Sequence, residues 1–371
     1  MDTIDQMVVR GPLGWSPPPA PPGRALLRWG LPVVVVCILL AAAILVEIPY
    51  YAIAPGTARQ VNDLIALPPD RANPPEGRVL LATVALRRVS TLEALQGWLD
   101  DDTAVVPEGQ IMGDQGRRDF NRENRDLMDD SKHVAVLVAL RRLGFPVAEQ
   151  GKGALVIEVS PGSPASGHLV TGEVVTSVDA VATPLSRLVV AAIGGRRPGE
   201  QVRLSVTGVD GTAREEVVTL AAAPAAAAAM PGDGYLGVVM RTKEQSFDLP
   251  FDVSIDSGAI GGPSAGLAFT LGLLDALTEG ELTGGAKVAV TGTIQPDGSV
   301  GDVGGVTQKT AAVRAAGAEY FLVPPGEFDE ARARAGRGLQ VRKVATLEEA
   351  IVALQALGGA GLPPPAPAVP A

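Results

Sequence analysis

The sequence predicts an α+β protein with an N-terminal transmembrane helix, a β-rich middle domain and a C-terminal α/β domain. Three observations lead to this prediction. A nearly unbroken apolar run fills residues 31–46, and short β-branched segments separated by turn residues fill 153–222. A long apolar helical run and a strand-like stretch, YFLVPP, follow after residue 235. The chain has 371 residues, which is enough for two or three compact domains.

The composition excludes several classes of function. The formal net charge is −10, and no Lys/Arg-rich run is present, so a nucleic-acid partner is not expected. The single cysteine, Cys37, excludes an internal disulfide and a cysteine-based metal site. The two histidines, His133 and His168, have no neighbours at metal-ligand spacing. We therefore expect neither a metal nor a cofactor.

The apolar run near the start predicts a membrane anchor over residues 29–51. Its length is close to the ~20 residues that cross a bilayer. Trp29 and Tyr50 lie where interfacial aromatic residues belong, and Arg24 and Arg28 precede the run. Because positive residues stay inside, the N-terminus is expected in the cytoplasm and the catalytic part outside the cytoplasmic membrane.

Two other interpretations of this run stay open. It could be a cleaved signal peptide, since Ala-Ile-Ala at 52–54 resembles a cleavage site, but Pro55 would then be an unfavourable first residue. It could also be a buried core helix, which the irregular Pro- and Gly-containing segment after it argues against. No later apolar run is long enough to predict a second membrane span.

Shifts in composition divide the chain into seven segments. They are a disordered cytoplasmic tail (1–28), the anchor (29–51), a connecting region (52–143), a β-rich domain (144–222), an Ala/Pro/Gly linker (223–234), an α/β domain (235–357) and a disordered tail (358–371). Within the connecting region, 55–78 is predicted to be irregular and 78–87 to be a strand. Helices are predicted over 91–100, capped by Thr91, and over 119–143.

The β-rich domain resembles the PDZ domains of bacterial proteases. Strands are predicted at 154–159, 172–178, 201–206 and 215–220, with a helix at 185–193. The resemblance is carried by the stretches VIEVSPGSPASG, GEVVTSVDAVAT and RRPGEQVRLSVT. It implies that peptide ends bind by strand addition to a sheet edge. The segment 144–147 is the candidate for the loop that holds the peptide end.

A candidate nucleophile lies in the glycine-rich segment DSGAIGGPSAG of the last domain. Pro263 suits the first turn of a helix, which places Ser264 at a helix N-terminus. Free N–H groups there, near Gly262 and Ser264, could donate to a developing oxyanion. A serine in such a turn can also be a simple N-cap, so the position alone does not establish catalysis.

A candidate base lies in the segment GGVTQKTAAVRAAG. Lys309 follows a glycine pair at a second helix start, where the helix dipole and burial both favour the neutral amine. A neutral amine can accept the serine proton, so no histidine is required. The alternative is a solvated surface lysine. The glycines do not form a phosphate loop, because no G-x-x-x-x-G-K-[ST] motif occurs in the sequence.

Residues 235–357 resemble the proteolytic domain of Lon proteases. The matching stretches are GGPSAGLAFTLGLLDALT, KVAVTGTIQPDGSVGDVGGVTQKTAAVRAAG and YFLVPP. The resemblance implies that Ser264 is the nucleophile and Lys309 the general base, with Thr291 near the lysine. Gly262, Pro263 and Ala265 are candidate supporting or oxyanion residues. The whole chain resembles bacterial membrane-anchored PDZ–Lon-like proteases, which implies a homo-oligomeric ring, such as a hexamer.

Two functions follow from this sequence. The first is a membrane-anchored serine endopeptidase that needs no ATP and acts on unfolded, flexible or membrane-associated proteins. The second is a membrane-tethered peptide-binding adaptor whose Lon-like domain serves only in assembly. The joint presence of Ser264 and Lys309 favours the endopeptidase, since an assembly scaffold needs neither.

Overall fold

The structure is a computed structural model that describes residues 23–113, 115–224, 233–360 and 362–364. Its α-helices are α1 (Gly23–Leu45), α2 (Thr91–Trp98), α3 (Glu108–Met112), α4 (Arg117–Arg142), α5 (Ser186–Gly194), α6 (Gly266–Leu277), α7 (Val306–Ala315), α8 (Phe328–Arg334) and α9 (Leu347–Gln355).

The strands are short, apart from two in the first hundred residues. They are β1 (Glu47–Gln60), β2 (Ile65–Ala66), β3 (Arg78–Ser90), β4 (Ala104–Pro107), β5 (Ala148–Gln150), β6 (Ala154–Val159), β7 (Val174–Val178), β8 (Val181–Ala182), β9 (Gln201–Thr207), β10 (Ala213–Thr219), β11 (Ala221–Ala222), β12 (Gly234–Tyr235), β13 (Val238–Thr242), β14 (Ser246–Asp248), β15 (Ser254–Ile255), β16 (Lys287–Val290), β17 (Thr293–Ile294), β18 (Val300–Gly301), β19 (Tyr320–Val323) and β20 (Gln340–Lys343). The mixture of helices and strands agrees with the predicted fold class.

The chain divides into two compact units. The described residues of 1–54 and 86–113 form the first unit, and those of 55–85 and 114–371 form the second. In the first unit, the start of β1 pairs antiparallel with β4, from Tyr50 opposite Pro107 to Ile53 opposite Ala104. Every candidate site residue belongs to the second unit.

The predicted anchor differs from the structure at its C-terminal end. Helix α1 ends at Leu45 and β1 begins at Glu47, so residues 47–51 are extended. Aromatic side chains favour strands, which explains why Tyr51 is extended here, and its side chain is buried. Within the described ranges, no helix combines the length and the apolar character needed to cross a membrane.

The connecting region contains more regular structure than the sequence predicts. Strand β1 continues through Pro55 to Gln60, so the predicted irregular segment begins six residues too early. Ser90, rather than Thr91, caps α2: its hydroxyl accepts the Glu93 N–H, and the Glu93 carboxylate accepts the Ser90 N–H. This reciprocal capping box satisfies two N–H groups at the helix start.

A mostly parallel sheet forms the centre of the second unit. Its strand order is β20, β19, β16, β3 and β1, and the β20–β19, β19–β16 and β16–β3 pairs are parallel. Alternate residues of these strands face opposite sides. Val79, Leu81, Val288, Val290 and Leu322 pack with α4, α6 and α9. Leu80, Ala82, Ala289, Phe321 and Val323 pack with α7 and α8. The sheet is therefore covered on both faces, as parallel sheets require.

A second sheet, which we call the middle sheet, has the strand order β10, β9, β7, β6 and β13, with β8 attached to β7. Strand β13 pairs antiparallel with β6, from Val238 opposite Val159 to Thr242 opposite Ala154. The predicted boundary at residue 235 assigned this strand to the C-terminal domain. It instead completes the middle sheet, because Val238 and Met240 pack on that sheet's own core.

The C-terminal tail is also packed where it is described, contrary to the prediction of disorder from residue 358. Leu362 is buried in the core between the parallel sheet and helices α4, α6 and α9, which we call the main core. Arg142 donates to the Pro363 carbonyl oxygen at 2.8 Å. The apolar side chain of Leu362 accounts for this packing. Residues 1–22, most of the predicted linker (225–232) and residues 361 and 365–371 lie outside the described residues, so those predictions stay predictions.

Candidate active site

Ser264 lies in a short 3₁₀ turn, Pro263–Ala265, that runs directly into α6. Gly262 precedes the turn with φ 86° and ψ 160°, a backbone conformation that is essentially limited to glycine. Pro263 then occupies the first position of the turn, where its missing N–H leaves no bond unmade. Helix α6 is buried along nearly its whole length, so it holds the half-buried Ser264 firmly at its start.

Lys309 is the fourth residue of α7, which begins after Gly305 in the left-handed conformation. Its backbone N–H donates to the Gly305 carbonyl oxygen at 2.9 Å. The side chain is only 3% exposed, so it is not a solvated surface lysine. Burial lowers the pKa of Lys309 from its ordinary 10.5 to about 8, and the negative charge of Glu327 opposes this shift. A large fraction of the amine is therefore neutral at mildly alkaline pH.

Thr291 connects the two candidate catalytic residues. It follows β16 directly and is fully buried. The Lys309 Nζ donates to Thr291 Oγ1 at 3.1 Å, and Thr291 Oγ1 donates to the Ser264 carbonyl oxygen at 3.4 Å. The Gly292 N–H donates to the same carbonyl oxygen at 3.1 Å. The structure thus brings Ser264, Thr291 and Lys309 together at the carboxyl end of β16, where ligands commonly bind in α/β sheets.

Helix α4 supports the turn that carries Ser264. The Ser131 hydroxyl donates to the Pro263 carbonyl oxygen at 3.0 Å. The Gly262 N–H donates to the Asn124 carbonyl oxygen at 2.8 Å. The expectation that the Gly262 N–H serves the oxyanion is therefore wrong for this conformation, because that donor is already used. The remaining candidates are the N–H groups of Ser264 and Ala265, which open the helical segment.

Sequence reasoning missed three contributors to this site. Ser131 and Asn124 lie in a long polar helix, and nothing in the local pattern indicates that their side of α4 meets the serine turn. Glu327 follows the strand-like YFLVPP stretch and is 8% exposed, although glutamates are mostly exposed. Its position just after a buried strand was the one available signal. The segment 144–147 does not join the middle sheet; Phe145 and Val147 pack on the main core instead.

Comparison with known proteins agrees with the catalytic part of this picture. Residues 201–356 match the family model of the Lon protease (S16) C-terminal proteolytic domain, and this range contains Ser264, Thr291 and Lys309. A Lon protease from Lachnoclostridium phytofermentans is 33% identical over 93 residues, which are 24% of this chain and 11% of that protein. The chain therefore spans about a tenth of the length of this curated relative.

Solved structures of PDZ domains from Listeria are also similar to part of the chain. The PDZ domain of an SdrC-like protein from Listeria monocytogenes is 20% identical, with 24% of this chain and 87% of that chain covered and a TM-score of 0.22. The PDZ domain of an SdrC-like protein from Listeria innocua is 22% identical, with 24% and 92% covered and a TM-score of 0.21. TM-scores of this size do not establish a shared fold.

Proposed function

We propose that the chain is a serine endopeptidase in which Ser264 is the nucleophile and Lys309 the general base. The observation that carries this proposal is the buried lysine whose amine reaches Thr291, while Thr291 reaches the backbone of Ser264. A buried lysine with a lowered pKa, linked through a threonine to a helix-start serine, is consistent with Ser-Lys catalysis. The match to a Lon proteolytic domain supports the same reaction class.

The reaction follows from the chemistry of these groups. Neutral Lys309 accepts the Ser264 hydroxyl proton as Oγ bonds to the peptide carbonyl carbon. The N–H groups of Ser264 and Ala265 hold the oxygen that becomes negative. The lysine then returns the proton to the leaving amine, and water releases the acyl group from Ser264. The substrates are unfolded, flexible or membrane-associated proteins, since the sequence has no phosphate-loop motif with which to drive unfolding by ATP.

The proposal is tested by incubating the purified protein with casein in the absence of nucleotide. Cleavage by the wild type that disappears in Ser264→Ala supports the endopeptidase. Peptide binding without cleavage by the wild type would favour the adaptor.

We propose that a peptide end binds at the edge of the middle sheet, at a different place from the predicted segment 144–147. Strand β13 is the terminal strand of the sheet order, and α5 packs beside it. Thr242 Oγ1 accepts the Ser186 N–H at 3.0 Å, which ties β13 to the start of α5. The turn before β13 contains Gly237 at φ 79°, where a Cβ would lie 2.1 Å from the Ser163 Cβ. We infer that an extended peptide adds to the β13 edge with its end at this glycine turn.

This proposed site makes a prediction about peptide affinity. The exposed α5 valine, Val190, is replaced by glutamate, and the control is Val217→Glu on β10, at the opposite end of the strand order. The probe is a fluorescent apolar peptide with a free carboxyl end. We expect Val190→Glu to weaken its binding on the order of tenfold, because docking of the peptide would remove the introduced glutamate carboxylate from water. Fluorescence anisotropy measures the affinity. Equal affinities for the two variants would rule out this site.

We further propose that the protein acts outside the cytoplasmic membrane, held by the N-terminal apolar segment, and assembles as a ring. The location is supported by the basic residues before that segment. All six lysines lie at residue 132 or later, so an impermeant amine-reactive reagent should label the chain in intact spheroplasts. Labelling only after lysis would refute the location, and a monomeric mass in light scattering would refute the ring.

A further inference from the structure

A buried acidic side chain anchors the segment that leads into α7, the helix that carries Lys309. Glu327 ends the 3₁₀ turn Pro325–Glu327 between β19 and α8, and it is 8% exposed. Its Oε1 accepts the Val303 N–H at 2.6 Å. Its Oε2 is buried and has no hydrogen-bond partner among the described residues. A buried carboxylate oxygen without a donor is unfavourable unless a positive charge lies nearby.

A second carboxylate lies against the same turn. A Cβ on Gly326 would be 2.8 Å from both carboxylate oxygens of Asp302, so Asp302 packs directly on this turn. Burial raises the pKa of Glu327 above its ordinary value, and the neighbouring Asp302 carboxylate raises it further. The hydrogen bond from the Val303 N–H favours the charged carboxylate, but burial and Asp302 disfavour it more strongly.

The Glu327 charge raises the pKa of Lys309, against the larger lowering effect of burial. The other groups that the structure brings to the lysine are the Thr291 hydroxyl and, through Thr291, the backbone of Ser264. Val303, which Glu327 anchors, lies two residues before Gly305, the residue from which α7 begins. One side chain thus bonds to the segment that leads into the helix of Lys309, and its negative charge favours the protonated amine.

We propose that Glu327 is a positioning residue for Lys309: its carboxylate fixes the segment ahead of α7, and its charge acts on the amine that this helix carries. This inference rests on the proposed function, because it assigns a partner to the proposed base. It implies that Glu327 sets the pH at which the base becomes neutral.

The test replaces Glu327 with glutamine. Glutamine keeps a carbonyl oxygen for the Val303 N–H but removes the charge. Without that charge the lysine loses its proton more readily, so the rise of kcat/KM with pH should move about one pH unit lower. The matched control is Glu330→Gln: Glu330 is exposed and accepts the Thr307 hydroxyl of α7, so this variant changes the net charge equally without touching Lys309.

A second measurement does not depend on peptidase activity. The ¹³Cε signal of Lys309 is titrated by NMR in Ser264→Ala protein with labelled lysines, and Lys309→Met assigns it among the six. Adding Glu327→Gln should lower the titration midpoint, and adding Glu330→Gln should not. A lowered midpoint in a chain that cleaves nothing would uphold the positioning role and refute the endopeptidase. Unchanged midpoints and pH profiles in an active enzyme would overturn the positioning role alone.

Discussion

Replacing Ser264 with alanine is expected to lower kcat/KM for an unfolded protein substrate at least about a thousandfold. The hydroxyl is the only atom group that the substitution removes, and it is the group that forms the acyl bond in the proposed mechanism. The supporting contacts should survive, because Thr291 and Gly292 both bond to the backbone oxygen of Ser264 rather than to its side chain. Cleavage of casein, followed by gel and mass spectrometry, measures the loss.

The matched control for this variant is Ser257→Ala, which removes a second hydroxyl from the same glycine-rich segment. Ser257 lies outside the contacts that join Ser264 to Lys309, so its variant should retain cleavage. The double variant Ser264→Ala with Lys309→Met should be no slower than either single variant, because the two groups act as a unit. Wild-type rates in Ser264→Ala would end the endopeptidase proposal.

The local pattern around the serine was sufficient to predict how that part of the chain folds. Pro263 and the glycines before it indicate a helix start, and the structure has a 3₁₀ turn and then α6 at this place. The apolar run that follows this start forms α6, whose residues are nearly all buried. These features depend on backbone restrictions and hydrophobicity within a few residues, which a sequence displays directly.

Features that depend on distant parts of the chain could not be predicted in this way. The β13–β6 pairing joins residues such as Val238 and Val159, and either strand could have paired elsewhere with equal local propensity. The hydrogen bond from the Gly262 N–H to the Asn124 carbonyl oxygen likewise depends on how α4 packs, which the local sequence does not indicate. The Glu327 carboxylate reaches the segment before α7 only because β19 and α8 place it there. Each of these is a tertiary contact without a short sequence motif.

Replacing Lys309 with methionine is expected to abolish cleavage to the same extent as Ser264→Ala, since the proposed mechanism assigns the serine proton to Lys309 alone. Methionine fills nearly the same volume, so the packing of α7 should be retained. Thr291 can still donate to the Ser264 carbonyl oxygen. Substantial cleavage by this variant would exclude Lys309 as the base, even if Ser264 proved essential.

The same variant should also change how stability depends on pH. The pKa of Lys309 is about 8 in the folded protein, against an ordinary 10.5, so between these values the unfolded chain holds a proton that the folded chain has released. The free energy of unfolding of the wild type therefore rises with pH across this window, by on the order of 3 kcal/mol from this group. Methionine has no proton to release, so Lys309→Met lacks this rise.

The measurement is urea unfolding at a series of pH values from 7 to 10.5. Unfolding is monitored by hydrogen exchange in the peptides that contain the strands of the parallel sheet. The stability of Lys309→Met relative to wild type should be greatest at pH 7 and should fall steadily as the pH rises. Other titrating groups cancel in this difference because both proteins contain them. A difference that stays constant over the range would show that the amine is not held in a state that favours proton loss. The amine would then keep its proton over this range as it does in the unfolded chain, and burial would not prepare it as a base.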